Sequence, residues 1–328
     1  MNTVKHAASH QTALKSPPRT TDNNGAFIRA ESEFRNWITC DGTPGPTGLG
    51  GFKAEPGRYH LIVALNCPWA HRTLIFRYLK QLEETVSLGI VHPQRTEYGW
   101  AFKDFPGSTA DPVLGATLVR RFYIHAQENY TGRYTVPLLW DKQRETIVSN
   151  ESADIIRMFN SAFDPLTGNS ADYYPKALRA RIDAINHFIY KNLNNGVYRA
   201  GFSKSQSAYE IACLDVFRAL NQLESKLSKQ RYLIERQLTE ADWRLFPTLI
   251  RFDQAYFSLF KCNKKRLQDY PALWQYTREL YQMPGISDTV NFDHIRHGYW
   301  RKSERNPSGI IPLGPELDMT TPHTRSSL

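Results

Sequence analysis

Asn66-Cys67-Pro68-Trp69-Ala70-His71 follows the apolar run His60-Leu61-Ile62-Val63-Ala64-Leu65 and precedes a helical stretch, which makes Cys67 the residue best placed to react. Pro68 suits the first turn of a helix, where its missing N–H costs nothing. Cys67 then falls at the N-cap, with backbone donors and the positive end of the helix dipole directed at its sulfur. Such an environment lowers a thiol pKa and yields a thiolate nucleophile. A dithiol redox motif would place a second Cys three residues on, and Ala70 stands there. Any disulfide formed by Cys67 must therefore be resolved by an external thiol, which points to glutathione. The competing reading is a buried Cys that packs as a small hydrophobe.

Such a residue needs a strand to lead into it and a helix to follow, and the chain has room for both. With 328 residues, 41% of them apolar and 12% aromatic, it is long enough for two globular domains and a sizeable core. No apolar run approaches a membrane span, and residues 1–21 lack the apolar centre of a secretory signal. Cys40, Cys67, Cys213 and Cys262 have no metal-type spacing and read as free thiols, so a cytoplasmic location is expected. Lys5, Lys15 and Arg19 before the first acid, Asp22, give thin support to an organellar leader. The net charge of +9 is spread along the chain rather than clustered, which argues against a nucleic-acid partner. A positive field would also help to collect an anionic small substrate.

Residues 1–25 are rich in Ser, Thr, Asn and Pro and read as a disordered tail. Residues 26–165 form the next unit. An aromatic and Gly/Pro-punctuated extension leads into short buried-strand runs at 61–65 and 86–91, with a helix over 72–82 between them. A helix over 114–127, a hairpin across 136–148 and a helix from Ser152 complete a thioredoxin-like sheet with Cys67 at the end of its first strand. Residues 170–290 carry helical periodicity, with Leu178, Ile182, Ile185 and Ile189 on one face and Ile211, Leu214, Phe217 and Leu220 on another. Thr239 and Asp242 mark a structural helix start. Residues 291–328 read as a C-terminal extension. The fold class expected is therefore an α/β thioredoxin-like N-terminal domain plus an all-α C-terminal domain.

That order is the architecture of the glutathione transferases. Phe34-Arg35-Asn36-Trp37-Ile38-Thr39, residues 54–60 (AEPGRYH), residues 67–73 (CPWAHRT), Asn129-Tyr130-Thr131-Gly132-Arg133 and Phe260-Lys261-Cys262-Asn263 together resemble the Xi class, the glutathionyl-hydroquinone reductases, from about residue 26 to 315. The resemblance implies an enzyme that removes glutathione from glutathionylated hydroquinones, consumes a second glutathione and releases its disulfide. It implies a homodimer and glutathione as co-substrate, with no tightly bound cofactor and no metal. It also assigns residues. Val136 before Pro137 would pair through its backbone with the cysteinyl part of glutathione. Glu151 and Ser152 at a helix start would take the γ-glutamyl end. Arg133 would hold a carboxylate, and Trp100 resembles the family's glutathione-contacting Trp. Tyr198 and Tyr299 match the tyrosines that hold the hydroquinone oxygens and donate a proton as the carbon–sulfur bond breaks. Each has a structural alternative: Trp100 and Val136 as core, Arg133 as a surface ion pair, Glu151-Ser152 as a plain helix start. Two departures bear on the aromatic pocket, because Gly298 and Leu259 stand where the family pattern has His.

The chemistry implied is two displacements. Thiolate Cys67 attacks the sulfur of the adduct, hydroquinone leaves, and free glutathione resolves the mixed disulfide on Cys67. His71 is read as structural. An ordinary conjugating transferase would present Ser or Tyr to glutathione instead of Cys67. The remaining alternatives are a general monothiol thioltransferase or dehydroascorbate reductase of the same fold, and a non-enzymatic scaffold.

Overall fold

A computed structural model describes residues 15–328. Two short ribbons come first: β1 (Thr20–Thr21) pairs antiparallel with β2 (Phe27–Ile28), and β3 (Ile38–Thr39) pairs parallel with β4 (Phe52–Lys53). The main unit then runs β5 (Tyr59–Val63), α1 (Pro68–Leu79), β6 (Val86–Ile90), α2 (Arg120–Ala126), β7 (Leu138–Asp141), β8 (Thr146–Ser149), α3 (Ser152–Ser161) and a single turn, α4 (Asp164–Thr167). Its sheet has the order β6-β5-β7-β8, parallel between β5 and β6 and antiparallel across the other two pairs. Every residue of β5 is buried. A strand covered on both faces is apolar except where a polar group finds a buried partner, as His60 does in Ser87 at 2.8 Å, which is why residues 61–65 read as a continuous run rather than an alternation.

Helix α1 supplies the reason the two halves stay together. Ala70, His71, Arg72, Thr73, Leu74, Ile75 and Phe76 are all buried, because α1 packs on α3 on one side and on the helical half on the other. That half comprises α5 (Arg179–Ile189), α6 (Gly196–Phe202), α7 (Gln206–Leu227), α8 (Glu240–Leu249), α9 (Pro271–Gln282) and α10 (Phe292–Tyr299). Thr239 and Asp242 form a reciprocal capping box at the start of α8. Asp242 also accepts from the Leu233 amide at 2.9 Å and the Tyr276 hydroxyl at 2.7 Å, so its role is to organise backbone. The fold is thus a mixed-sheet thioredoxin-like domain joined to an all-helical domain. Among the described residues no helix is long and apolar enough to cross a membrane.

Two expectations, one from composition and one from periodicity, are corrected. Residues 15–25 do not behave as a disordered tail. The Ser16 amide donates to the Glu97 carbonyl at 2.8 Å, Thr20–Thr21 pair with the chain, and the Arg19 guanidinium lies 4.0 Å from the centre of the Phe202 ring. The segment is polar because its backbone and guanidinium make the contacts, so hydropathy does not register them. Residues 1–14 of the predicted tail lie outside the described residues. The second correction concerns the helix expected over 114–127, which begins only at Arg120. The Asp111 carboxylate accepts from the amides of Val113, Leu114 and Ala116 and holds that stretch in a loop.

Candidate active site

Cys67 sits where strand β5 hands over to α1. Its backbone is extended (φ −80°, ψ 119°), Pro68 opens the helix, and the Cys67 carbonyl accepts the His71 amide at 3.0 Å. The turn before it is held by Arg251, a fully buried guanidinium that donates to the carbonyls of Leu65 (2.7 Å) and Asn66 (3.0 Å) and lies 2.9 Å from His71 Nδ1. His71 Nε2 in turn lies 2.9 Å from Thr289 Oγ1. Burial keeps the His71 ring neutral, so it acts as a strut between domains.

Across the cleft, the Val136–Pro137 peptide is cis, and the Cys67 thiol donates to the Val136 carbonyl at 3.5 Å. The thiol pKa differs from the sequence expectation. Burial pushes the Cys67 thiol above its ordinary value, and the amides of Ala70 and Trp69 with the guanidiniums of Arg251 and Arg29 pull it back only in part. A helix N-terminus lowers a thiol pKa most when water also surrounds the sulfur, whereas Cys67 is only partly exposed at the floor of the cleft. Alkylation of Cys67 in the free protein is accordingly expected to titrate above a free cysteine thiol, and higher still in Arg29→Met, which removes one compensating charge. Site-resolved mass spectrometry over pH measures both. Fast labelling of Cys67 under mildly acidic conditions would contradict the expectation.

All eight residues singled out from the sequence, Cys67, Trp100, Arg133, Val136, Glu151, Ser152, Tyr198 and Tyr299, line one cavity of about 430 Å³. Glu151 is the N-cap of α3, and its carboxylate accepts from the Ala153 amide and the Ser32 hydroxyl, both at 3.0 Å. Ser152 is buried within reach of Arg72, whose guanidinium is stacked over Trp69 at 4.6 Å and also donates to Asn194 at 2.8 Å. Burial lowers the Arg72 pKa to about 9. Trp100 is buried with the Arg95 guanidinium 5.6 Å from its ring, and Arg133 forms no ion pair among the described residues.

The helical half contributes a tyrosine chain. Tyr299 Oη lies 2.6 Å from Tyr198 Oη and 2.9 Å from Tyr256 Oη. Burial raises the pKa of all three, so the hydroxyls are neutral at physiological pH. Three hydroxyls joined by two hydrogen bonds use two protons, which leaves one O–H free to donate to a ligand. Phe260 packs edge-on against Tyr198 (5.4 Å) and Tyr299 (5.8 Å). Its ring is so close to Gly201 that a Cβ there would come within 2.3 Å.

Sequence reasoning missed Tyr256, Arg29 and Arg251. Tyr256 lies in a π-helical turn, Phe252–Tyr256, four residues before Phe260, and that aromatic spacing was a usable signal. The two arginines offered none, because a lone Arg shows its acceptors only after folding. The departure at 298 has a steric explanation. A Cβ on Gly298 would fall 2.0 Å from the Asn66 side chain, so Asn66 occupies the space that a side chain at 298 would need. Leu259 is buried beside this cluster.

A thioredoxin-like domain with a Cys N-cap facing a cis-proline strand, closed by a helical domain, is a glutathione transferase site. The family descriptions agree: the glutathione S-transferase N-terminal domain matches residues 66–162 and the C-terminal domain residues 206–279. The chain is 55% identical over 308 residues to glutathionyl-hydroquinone reductase YqjG of Escherichia coli K12, covering 93% of this chain and 94% of the relative. It is 44% identical over 297 residues to glutathionyl-hydroquinone reductase PcpF of Sphingobium chlorophenolicum, with 90% and 92% covered. Among solved structures, glutathione-bound YqjG superposes with TM-score 0.88 at 56% identity, covering 89% of this chain and 96% of that one. The Xi glutathione transferase of Phanerochaete chrysosporium superposes with TM-score 0.87 at 44% identity, covering 93% and 97%. The chain belongs to the Xi class of glutathione transferases.

Proposed function

We propose that this protein is a glutathionyl-hydroquinone reductase in which Cys67 attacks the adduct sulfur and the tyrosine chain handles the aromatic ring. The observation that carries the reading is the placement of one cysteine, without a second thiol among the residues that line it, on a cavity also lined by Tyr198 and Tyr299, with the buried Tyr256 hydroxyl bonded behind Tyr299. The relatives' names give the same reaction. Glutathione lies along the thioredoxin-like side. Its cysteinyl backbone pairs with Val136, its γ-glutamyl end meets Glu151 and Ser152 at the start of α3, and its other carboxylate goes to Arg133 near Trp100.

This placement also changes the surroundings of the thiol, whose pKa burial raises in the free site. The Val136 carbonyl accepts the thiol proton when no ligand is present, and the cysteinyl N–H of a bound adduct takes that acceptor away. The proton then leaves more readily. In the first displacement a bond forms between Cys67 Sγ and the glutathionyl sulfur while the aryl carbon–sulfur bond breaks, and the ring carbon takes up a proton as hydroquinone departs. In the second, the thiolate of free glutathione attacks the mixed disulfide and Cys67 leaves. The two glutathione sulfurs are oxidised to the disulfide as the adduct is reduced.

The test is product analysis with a small panel of glutathionyl-hydroquinones. Hydroquinone and glutathione disulfide should form in equal amounts, and omitting free glutathione should trap one glutathione on Cys67. A glutathione conjugate built from a free quinone as the sole product would instead establish a conjugating transferase. We also propose a cytoplasmic homodimer, supported by the four free thiols and by membership of the class.

A further inference from the structure

One feature of the cavity exceeds what glutathione needs. Five arginines from separate parts of the chain, Arg19, Arg95, Arg133, Arg301 and Arg305, line it, and among the described residues none pairs with a carboxylate. Three carboxylates share the lining: Glu151 is bound up in its helix cap, Glu33 faces the Tyr130 hydroxyl, and Glu31 forms no ion pair with the arginines. Arg95 packs against Trp100, and the proposed reading assigns it and Arg133 to the glutathione side. The other three flank the aromatic side. Arg19 and Arg305 have their guanidinium carbons 4.0 and 4.1 Å from the centre of the Phe202 ring, and Phe202 stacks on Tyr198 at 6.0 Å and 13°. Arg301 follows Tyr299 by two residues and is half-buried.

An aromatic face orients a guanidinium without neutralising it. Neighbouring unpaired guanidiniums repel one another, and Arg301 and Arg305, partly withdrawn from water, lack compensation until an anion arrives, while Arg19 is exposed and adds its charge from the rim. Burial and the charge of Arg301 already draw the Arg305 pKa below its ordinary value, and burial does the same to Arg301. Glu304, beside Arg305 in sequence, is engaged at 2.8 Å by Lys204. The planar, forked donors of arginine match a carboxylate.

We infer that Arg19, Arg301 and Arg305 form a carboxylate-binding subsite beside the tyrosine chain, filled by an anionic substituent on the hydroquinone ring. The inference rests on the proposed reading of the cavity, since it takes the Tyr198 side to be the aromatic side. A resolving glutathione would present the same carboxylate chemistry, and the experiment separates the two.

The full-length protein is assayed with the glutathionyl adduct of unsubstituted hydroquinone and with that of 2,5-dihydroxybenzoate. The wild type should favour the carboxylated adduct in kcat/KM by about tenfold, an ordinary yield for one arginine–carboxylate contact. Arg301→Met with Arg305→Met should erase that ratio, Arg305→Lys should keep part of it, and added salt should shrink it. The second arm reduces a pre-formed Cys67–glutathione disulfide at varied glutathione. A wild-type ratio near one, with the double variant needing about tenfold more glutathione, would overturn the aromatic assignment and give the subsite to the resolving glutathione. Unchanged ratios and unchanged glutathione dependence in a folded double variant would overturn the subsite itself. Failure of the wild type to turn over the unsubstituted adduct would count against the proposed reductase, a separate result.

Discussion

Cys67→Ser is expected to lower glutathionyl-hydroquinone reduction by on the order of 10³-fold or more, because the hydroxyl at this position can neither form the mixed disulfide nor leave from it. The substitution changes one atom at the N-cap of α1. The surrounding supports, Arg251 on the Leu65 and Asn66 carbonyls and the His71 amide on the Cys67 carbonyl, are main-chain contacts that serine retains. Thermal unfolding should therefore stay close to wild type, and turnover near the wild-type rate would exclude the covalent route. The other cysteines form the control. Cys40 is exposed, whereas Cys213 and Cys262 are buried, so the latter two are best replaced by alanine to avoid burying an unpaired hydroxyl. All three variants should remain active, since none of these thiols lines the cavity.

Tyr198→Phe and Tyr299→Phe should each depress kcat/KM for glutathionyl-hydroquinones by about 10- to 100-fold, the range for a hydrogen bond to developing charge worth ~1.5–3 kcal/mol. Tyr299 should show the larger loss. Its hydroxyl is the middle member of the chain, so its removal also strands Tyr198 and Tyr256, which lie 2.6 and 2.9 Å away. Reduction of a small mixed disulfide of glutathione is the discriminating comparison. Breaking a sulfur–sulfur bond needs neither a proton on carbon nor support for phenolic oxygens, so both variants should retain most of that activity. Equal losses on the two substrates would place the tyrosines in glutathione binding or in the fold.

What the chain determined on its own was local. A buried-strand run, a proline that suits only a first turn and a cysteine between them made Cys67 readable, because each depends on backbone rules that act within a few residues. The same holds for Thr239 and Asp242 at the start of α8 and for Glu151 at the start of α3, where Thr239 and Glu151 are the N-caps. Tertiary structure decided whatever depended on distant neighbours. The direction of the thiol pKa follows from the partial burial of the sulfur in the cleft, which the dipole of α1 does not set. Arg251 anchors the Cys67 turn from 185 residues away, and Arg19 and Arg305 meet on one phenylalanine from opposite ends of the chain. Each of these contacts joins residues far apart in sequence, so it exists only in the assembled fold.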